Sequence, residues 1–217
     1  MATSIKFKVK PLTIALKCIK CLEETDEVGA DEPYVLVVGV DLQKPVPQVE
    51  VTNYGPWGDV DQGETKFTKV FPDGTHPQVT ELFKKLGLLR VPFWGLDNES
   101  PTKISDPDDV IFIVSVMEHD DGDPEAAREL AKAAAVATLA SSVGMERDKR
   151  VEKLIVDIKS ALAVPTGAPN FDDHIGTKEL RLTTKDLFRV LRGPYHRYLF
   201  FTGDGGHYKA TFQFLKG

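Results

Sequence analysis

Apolar residues in the first half of the chain fall into short runs that predict β-strands. The run YVLVVGVDL at 34–42 is rich in β-branched residues, and VIFIVSV, inside 108–118, is apolar without a break. An unbroken run of that length is typical of a strand buried on both faces. The segments that predict strands in this half are 5–9, 13–22, 34–42, 66–71 and 108–118, and the spacing at 80–89 predicts a short helix.

The pattern changes after residue 123, where a helical period replaces the strand runs. Asp123 followed by Pro124 is a typical helix start, and the alanine-rich residues 125–142 strongly favour a helix. Gly144 ends that run. Residues 146–163 predict a second helix, which makes the segment a helical hairpin. The apolar stripe of the second helix consists of Val151, Leu154, Ile155, Ile158 and Leu162.

Strand patterns resume at 179–182, 195–201 and 208–214. The sequence GDGG at 203–206 lies between the last two and indicates a β-hairpin turn, because no helix follows it as a phosphate-binding glycine loop would require. The order of elements predicts a mainly β fold, an antiparallel β-sandwich with an inserted α-helical hairpin. We expect residues 1–217 to form a single domain, with residues 124–170 as the insertion.

Composition narrows the function classes. The net charge of −6 provides no basic stripe for phosphates, which argues against nucleic-acid binding. The amino-terminal MATSIKFKVK lacks the apolar core of a signal peptide, and no run reaches the ~18–20 apolar residues that span a bilayer, so we expect a cytoplasmic protein. Cys18 and Cys21 have the spacing of a redox pair or of half a zinc site. On a strand, however, they point to opposite faces, and we expect two structural thiols.

Acidic residues concentrate in three segments, 23–32, 118–123 and 172–173. If the two helices pack antiparallel, the residues before and after them return to one place, so the three segments could converge. Several carboxylates within a few ångström cannot all stay ionised unless a cation joins them, and an all-oxygen ligand set suits Ca²⁺. His119 lies between Glu118 and Asp120, and in an extended segment it is expected to point away from both.

At these residues the chain resembles a C-two domain, the calcium-dependent phospholipid-binding β-sandwich of protein kinase C and synaptotagmin. DEVGADEPYV at 26–35 is similar to the first calcium loop of that family, which commonly reads D…G-x-S-D-P-Y-V. VMEH at 116–119 with Asp120, and DDHIG at 172–176, are similar to the two parts of its third loop. The family usually has a handful of residues between those parts, whereas this chain has about fifty.

The resemblance implies a Ca²⁺ cofactor and a set of carboxylate ligands. Carried over residue by residue, the ligands are Asp26, then Glu32 or Asp31, then Glu118, Asp120 and Asp173. Glu32 and Glu118 depart from the family, which usually has aspartate at both places. Each extra methylene moves a carboxylate by about a bond length, which a flexible calcium shell can tolerate.

The function implied by the resemblance is calcium-dependent binding to phospholipid membranes, without enzymatic activity. The expected partner is an anionic membrane surface, with a protein partner or self-assembly on the membrane as a further option, and calcium would make the cytoplasmic protein a peripheral membrane protein. One alternative is a membrane-damaging protein, a pore-forming or insecticidal-type toxin or a defence protein that uses the helical hairpin. Another is a calcium-free scaffold for protein interactions.

Two further observations bear on these alternatives. No Ser-His-Asp or Cys-His set occurs in a supporting context, so we expect no enzyme. DVDQGE at 59–64 resembles the start of a helix–loop–helix calcium loop, but Val70 occupies the twelfth position, which requires glutamate, so this segment is expected to be a turn.

Overall fold

The chain forms two antiparallel β-sheets packed face to face, with a helical hairpin on one of them. The computed structural model describes residues 12–26, 30–68, 92–95, 104–164 and 172–216. In that part of the chain the strands are β1 Leu12–Glu23, β2 Pro33–Asp41, β3 Gln48–Tyr54, β4 Thr65–Phe67, β5 Pro92–Trp94, β6 Val110–Glu118, β7 Asp173–Glu179, β8 Tyr195–Gly203 and β9 Gly206–Lys216. The helices are α1 Pro124–Ser141, α2 Arg147–Leu162 and α3 Thr184–Arg192, and a single 3₁₀ turn spans Pro107–Asp109.

The first sheet has the strand order β4-β1-β9-β8, with the short β5 also paired to β1, and the second sheet has the order β3-β2-β6-β7. Every pair of neighbouring strands is antiparallel. The main core lies between the two sheets and is rich in aromatic residues. Phe112 of the second sheet contacts both Phe93 and Trp94 edge to face, with ring centroids 5.3 and 5.2 Å apart. The predicted mainly β sandwich is therefore confirmed.

The hairpin of α1 and α2 covers the outer face of the second sheet, the face turned away from the first sheet. α1 contacts β2 and β3, and α2 contacts β6 and β7. All nine residues of β2 and all nine of β6 are buried, because one face of each strand contacts the other sheet and the opposite face contacts the helices. The prediction that the apolar run of β6 is buried on both faces is confirmed.

Small residues let the first helix lie close to the sheet. Ala127, Ala131 and Ala135 recur every four residues, so they share one face of α1, and each is at most 2 % exposed. They belong to the same buried cluster as Leu36 and Ile111 of the sheet. The stripe predicted on α2 is also buried against the sheet at Val151, Leu154, Ile158 and Leu162, whereas Ile155 is partly buried.

The remaining predictions have mixed outcomes. The prediction of a strand at 179–182 is wrong, because the strand spans Asp173–Glu179. This edge strand is mostly polar, and its backbone hydrogen bonds to β6 hold it in the sheet. The sequence reading missed β3, β5 and α3. Cys18 and Cys21 are both buried and free of disulfides. The elements predicted at 5–9 and 80–89, and the end of that at 66–71, lie outside the described residues. No described helix is long and apolar enough to cross a bilayer.

Candidate cation site

The acidic segments meet at one end of the sandwich because of how the strands pair. Pro33, at the start of β2, lies opposite Glu118, at the end of β6, and Glu118 in turn lies opposite Asp173, at the start of β7. In the first sheet, Glu23 at the end of β1 lies opposite His207, beside the β8–β9 turn. Four chain segments far apart in sequence therefore end side by side.

Glu118 is at the centre of this end and is 3 % exposed. Its Oε1 accepts a hydrogen bond from the backbone N–H of Glu32 over 2.9 Å. Its Oε2 is buried and has no hydrogen-bond donor in the described part of the chain. Burial, together with the negative charges of Asp120, Asp31 and Asp173, raises the pKa of Glu118 to about 7. A buried carboxylate oxygen without a hydrogen-bond donor is stable only when a proton or a cation binds it.

Asp31 holds the first loop in place. Its carboxylate accepts hydrogen bonds from the backbone N–H of Thr25 over 3.1 Å, from the Thr25 hydroxyl over 2.8 Å and from the Tyr208 hydroxyl, and only 2 % of the residue is exposed. The backbone carbonyl of Asp31 accepts from Val60 N–H, which joins the turn at 59–64 to this loop. Of the two alternatives, Glu32 and Asp31, the carboxylate of Asp31 already accepts hydrogen bonds that hold the loop, and Glu32 stays a candidate ligand.

The β8–β9 turn brings a carboxylate that sequence reasoning did not assign. Asp204 and Gly205 have φ angles of 49° and 71°, the pair of positive values that a type I′ hairpin turn requires, so the GDGG prediction of a turn is confirmed. Burial raises the pKa of Asp204, and so do the negative charge of Asp173, a hydrogen bond with it, and the charge of Asp26. A Cβ on Gly205 would lie 2.6 Å from Cγ of the exposed Asp26. Only the turn composition hinted at this acidic residue.

Asp172 fastens the two ends of the hairpin to each other. Its carboxylate accepts from the backbone N–H groups of Asp120 and Gly122 over 3.2 and 3.0 Å, and from the Tyr34 hydroxyl over 2.7 Å. His119 Nδ1 lies 3.1 Å from the same carboxylate, so this histidine is turned towards Asp172. The predicted return of the hairpin to its starting point is confirmed by these contacts.

The candidate ligands are thus neighbours, although they are not yet arranged around one point. In the described part of the chain, no group of three or more His, Cys, Asp or Glu side chains has the geometry of a formed metal site. The candidate ligand atoms at this end are the carboxylate oxygens of Asp26, Glu32, Glu118, Asp120, Asp173 and Asp204. Carboxylate oxygens of this kind, together with the unpartnered Glu118 oxygen, are the ligand type that a hard cation such as Ca²⁺ prefers.

Comparison of the chain with protein-family models, with curated proteins and with solved structures finds no match in any of the three. The two-sheet antiparallel sandwich is compatible with a C-two-like fold.

Proposed function

We propose that this protein binds Ca²⁺ at the acidic end of a C-two-like sandwich and, with calcium bound, attaches to anionic phospholipid membranes without catalysing a reaction. The observation that carries the proposal is the buried, unpartnered oxygen of Glu118 among the charges of Asp120 and Asp173. The carboxylates of Asp31 and Asp172 at this end accept several hydrogen bonds each, whereas Oε2 of Glu118 has no donor among the described residues.

The residues of the site divide into ligands and supports. Glu118, Asp120 and Asp173 would hold the cation on one side, with Asp26, Glu32 and Asp204 facing them. Asp31 and Asp172 keep the loops in register through their hydrogen bonds. Bound Ca²⁺ would supply positive charge that offsets the local excess of carboxylates, which otherwise repel lipid phosphates.

Calorimetric titration with Ca²⁺, and thermal unfolding with calcium or with chelator, test the metal step. A ligand that binds only the folded state raises its stability, by ~2.7 kcal/mol at a hundredfold excess over Kd. We expect Asp120→Asn with Asp173→Asn to abolish both the binding heat and the calcium-induced rise in Tm. The double variant Glu146→Gln with Glu152→Gln removes the same charge from exposed positions at the start of α2, away from the acidic end, and should leave both unchanged.

Sedimentation with vesicles tests the membrane step. We expect the protein to pellet more strongly with phosphatidylcholine vesicles containing phosphatidylserine when calcium is added, and the increase to vanish in the Asp120→Asn, Asp173→Asn variant. Calcium binding without any gain in vesicle binding would leave a calcium-binding scaffold instead. Absence of both would support the calcium-free scaffold.

The membrane-damaging alternative makes a different demand on the molecule. Its two helices would have to leave the second sheet, which would expose Leu36, Val38 and Ile111 to water together with the alanine face of α1. We therefore expect no release of dye from anionic vesicles under conditions where the protein binds them. Rapid dye release would favour this alternative over the non-damaging membrane binding proposed above.

A further inference from the structure

The exposed side of α3 combines a basic stripe with an apolar one. Lys185, Arg189 and Arg192 follow each other at intervals of four and three residues, so they line one edge of the helix. Phe188 and Leu191 lie on the adjacent edge and are 45 % and 48 % exposed. In the part of the chain that the structure describes, none of the three basic residues forms an ion pair with a carboxylate.

The opposite side fixes the helix to the sandwich. Leu187 and Val190 are buried in the main core, so the helix cannot easily turn its apolar edge inward. Asp186 is also buried. It completes a capping box with Thr183 and accepts from Arg197 Nη1 over 2.9 Å. The helix is thus held from one side and presents the basic and apolar stripes to solvent in a fixed orientation.

This surface lies far from the candidate cation site. β8 begins at Tyr195, just after α3, and runs to Gly203, next to Asp204 of the acidic end. Nine residues in a strand span about 30 Å at ~3.3 Å per residue. The helix surface and the cation site therefore lie at opposite ends of the sandwich. A flat bilayer that contacts one end cannot contact the other end at the same time.

We propose that the exposed face of α3 is a second membrane-binding surface, which binds an anionic bilayer without calcium. The charge of the face is opposite to that of an anionic lipid surface, although the whole chain carries −6. Basic side chains beside exposed phenylalanine and leucine are the combination that suits a helix lying in the headgroup region, where the charges contact phosphates and the apolar groups enter the acyl boundary. The inference does not depend on the calcium proposal.

Vesicle flotation in chelator tests the proposal. We expect the wild-type protein to float with phosphatidylcholine vesicles that contain about one third phosphatidylserine, a composition that provides the anionic surface, and not with phosphatidylcholine alone. Flotation should decrease as salt rises. The variant Lys185→Gln, Arg189→Gln, Arg192→Gln should bind at least about tenfold more weakly, since each basic residue near the surface contributes to attraction. Phe188→Ser with Leu191→Ser should also weaken flotation.

The matched control is Lys132→Gln, Lys153→Gln, Lys159→Gln, which changes the net charge by the same amount on α1 and α2, away from the end of the sandwich that carries α3. Equal flotation of the α3 variant and this control would overturn the proposal, as would absence of wild-type flotation in chelator. Binding to soluble poly-glutamate but not to vesicles would also overturn it, because the surface would then fit an acidic protein. Calcium titration of the α3 variant should remain that of the wild type, which separates this test from the first one.

Discussion

Buried carboxylates in this protein are of two kinds, and the difference is set by the donors around them. Asp31, Asp172 and Asp186 each accept several hydrogen bonds from groups on neighbouring segments. Glu118 accepts one, from Glu32 N–H, and its other oxygen has no donor in the described residues. The first kind stabilises the folded chain as an anion, whereas the second is costly as an anion unless something binds it.

The pKa of Glu118 gives a prediction about pH. Its pKa is about 7 in the folded chain against an ordinary value of 4.5, so the folded state holds the proton more tightly. The stability from this group is complete below the ordinary value and is lost as pH rises towards 7. We expect Glu118→Gln to raise the free energy of unfolding at pH 8 in chelator, by about 1–3 kcal/mol. Urea denaturation at pH 5 and pH 8 measures this, and a variant less stable than wild type at pH 8 would contradict it.

Bound Ca²⁺ should offset the loss of stability that ionisation of Glu118 causes. In the wild type, saturating Ca²⁺ at pH 8 is expected to recover the stability that ionisation of Glu118 removes. In Glu118→Gln the metal-free protein starts from the higher value, and its further gain from Ca²⁺ should be small. Thermal unfolding of both proteins with and without Ca²⁺ compares the two gains.

Removing Asp31 should destabilise the fold with or without metal. Asp31→Ala leaves the Thr25 and Tyr208 donors without their acceptor in a buried place. We expect a loss of about 2–4 kcal/mol in the free energy of unfolding. Asp26→Ala, which truncates an exposed carboxylate in the same loop, should change it by less than about 0.5 kcal/mol. A similar effect of the two substitutions in urea would contradict this assignment of Asp31.

Secondary-structure elements differ in how clearly the sequence announces them. β2 and β6 are apolar on both faces because a sheet covers one side and the hairpin the other, and unbroken runs of this kind are easy to find. β7 and α3 were not predicted correctly, because β7 is a polar edge strand and α3 has only nine residues. The capping box at Thr183 and Asp186 was the available signal for α3.

The candidate site shows the same division. The clustering of Glu118, Asp120 and Asp173 follows from the return of the hairpin, which the two helical patterns predict. The approach of Asp204 follows from the order of strands in the first sheet, which no local pattern encodes. The separation of satisfied from unsatisfied carboxylates depends on single donors such as the Tyr208 hydroxyl, and these are fixed only by tertiary packing.

Packing of α1 on the sheet gives a prediction at this scale. Ala131 is fully buried between α1 and the sheet, whereas Ala133 of the same helix is exposed. Ala131→Leu adds three carbons to a filled space and should lower the free energy of unfolding by about 1–3 kcal/mol. Ala133→Leu makes the same change on the solvent side and should have little effect. Equal Tm values for the two variants would show that the helix does not rest on the sheet through this face.

The two ends of the molecule present different charged groups, although the end that carries α3 also holds Asp41, Asp106, Asp108 and Asp109. The acidic end gathers carboxylates from four segments, and the opposite end presents Lys185, Arg189 and Arg192 on α3. If both proposals hold, one molecule has two membrane-binding ends about 30 Å apart along β8. Such a molecule can contact two bilayers at once, one through calcium and one through α3.

Clustering of vesicles tests this arrangement. We expect addition of protein and Ca²⁺ to anionic vesicles to increase their apparent size in dynamic light scattering. Chelator should reverse the increase while leaving part of the protein bound through α3. The variant Lys185→Gln, Arg189→Gln, Arg192→Gln should still bind in calcium without clustering. Clustering by that variant to the wild-type extent would argue against two opposed surfaces.

Both ends of the helical hairpin meet at the carboxylate of Asp172, so a short linker could join Gly122 to Asp172 without disturbing the strands. Such an excision would nevertheless expose the outer face of the second sheet to solvent, including Val38 and Ile113, which the helices now bury. An exposed apolar sheet face of that size binds the same face of another molecule, so the shortened protein should self-associate or precipitate. The helical hairpin therefore acts as a fixed cover of this sheet face, and the first consequence of removing it would be a loss of solubility.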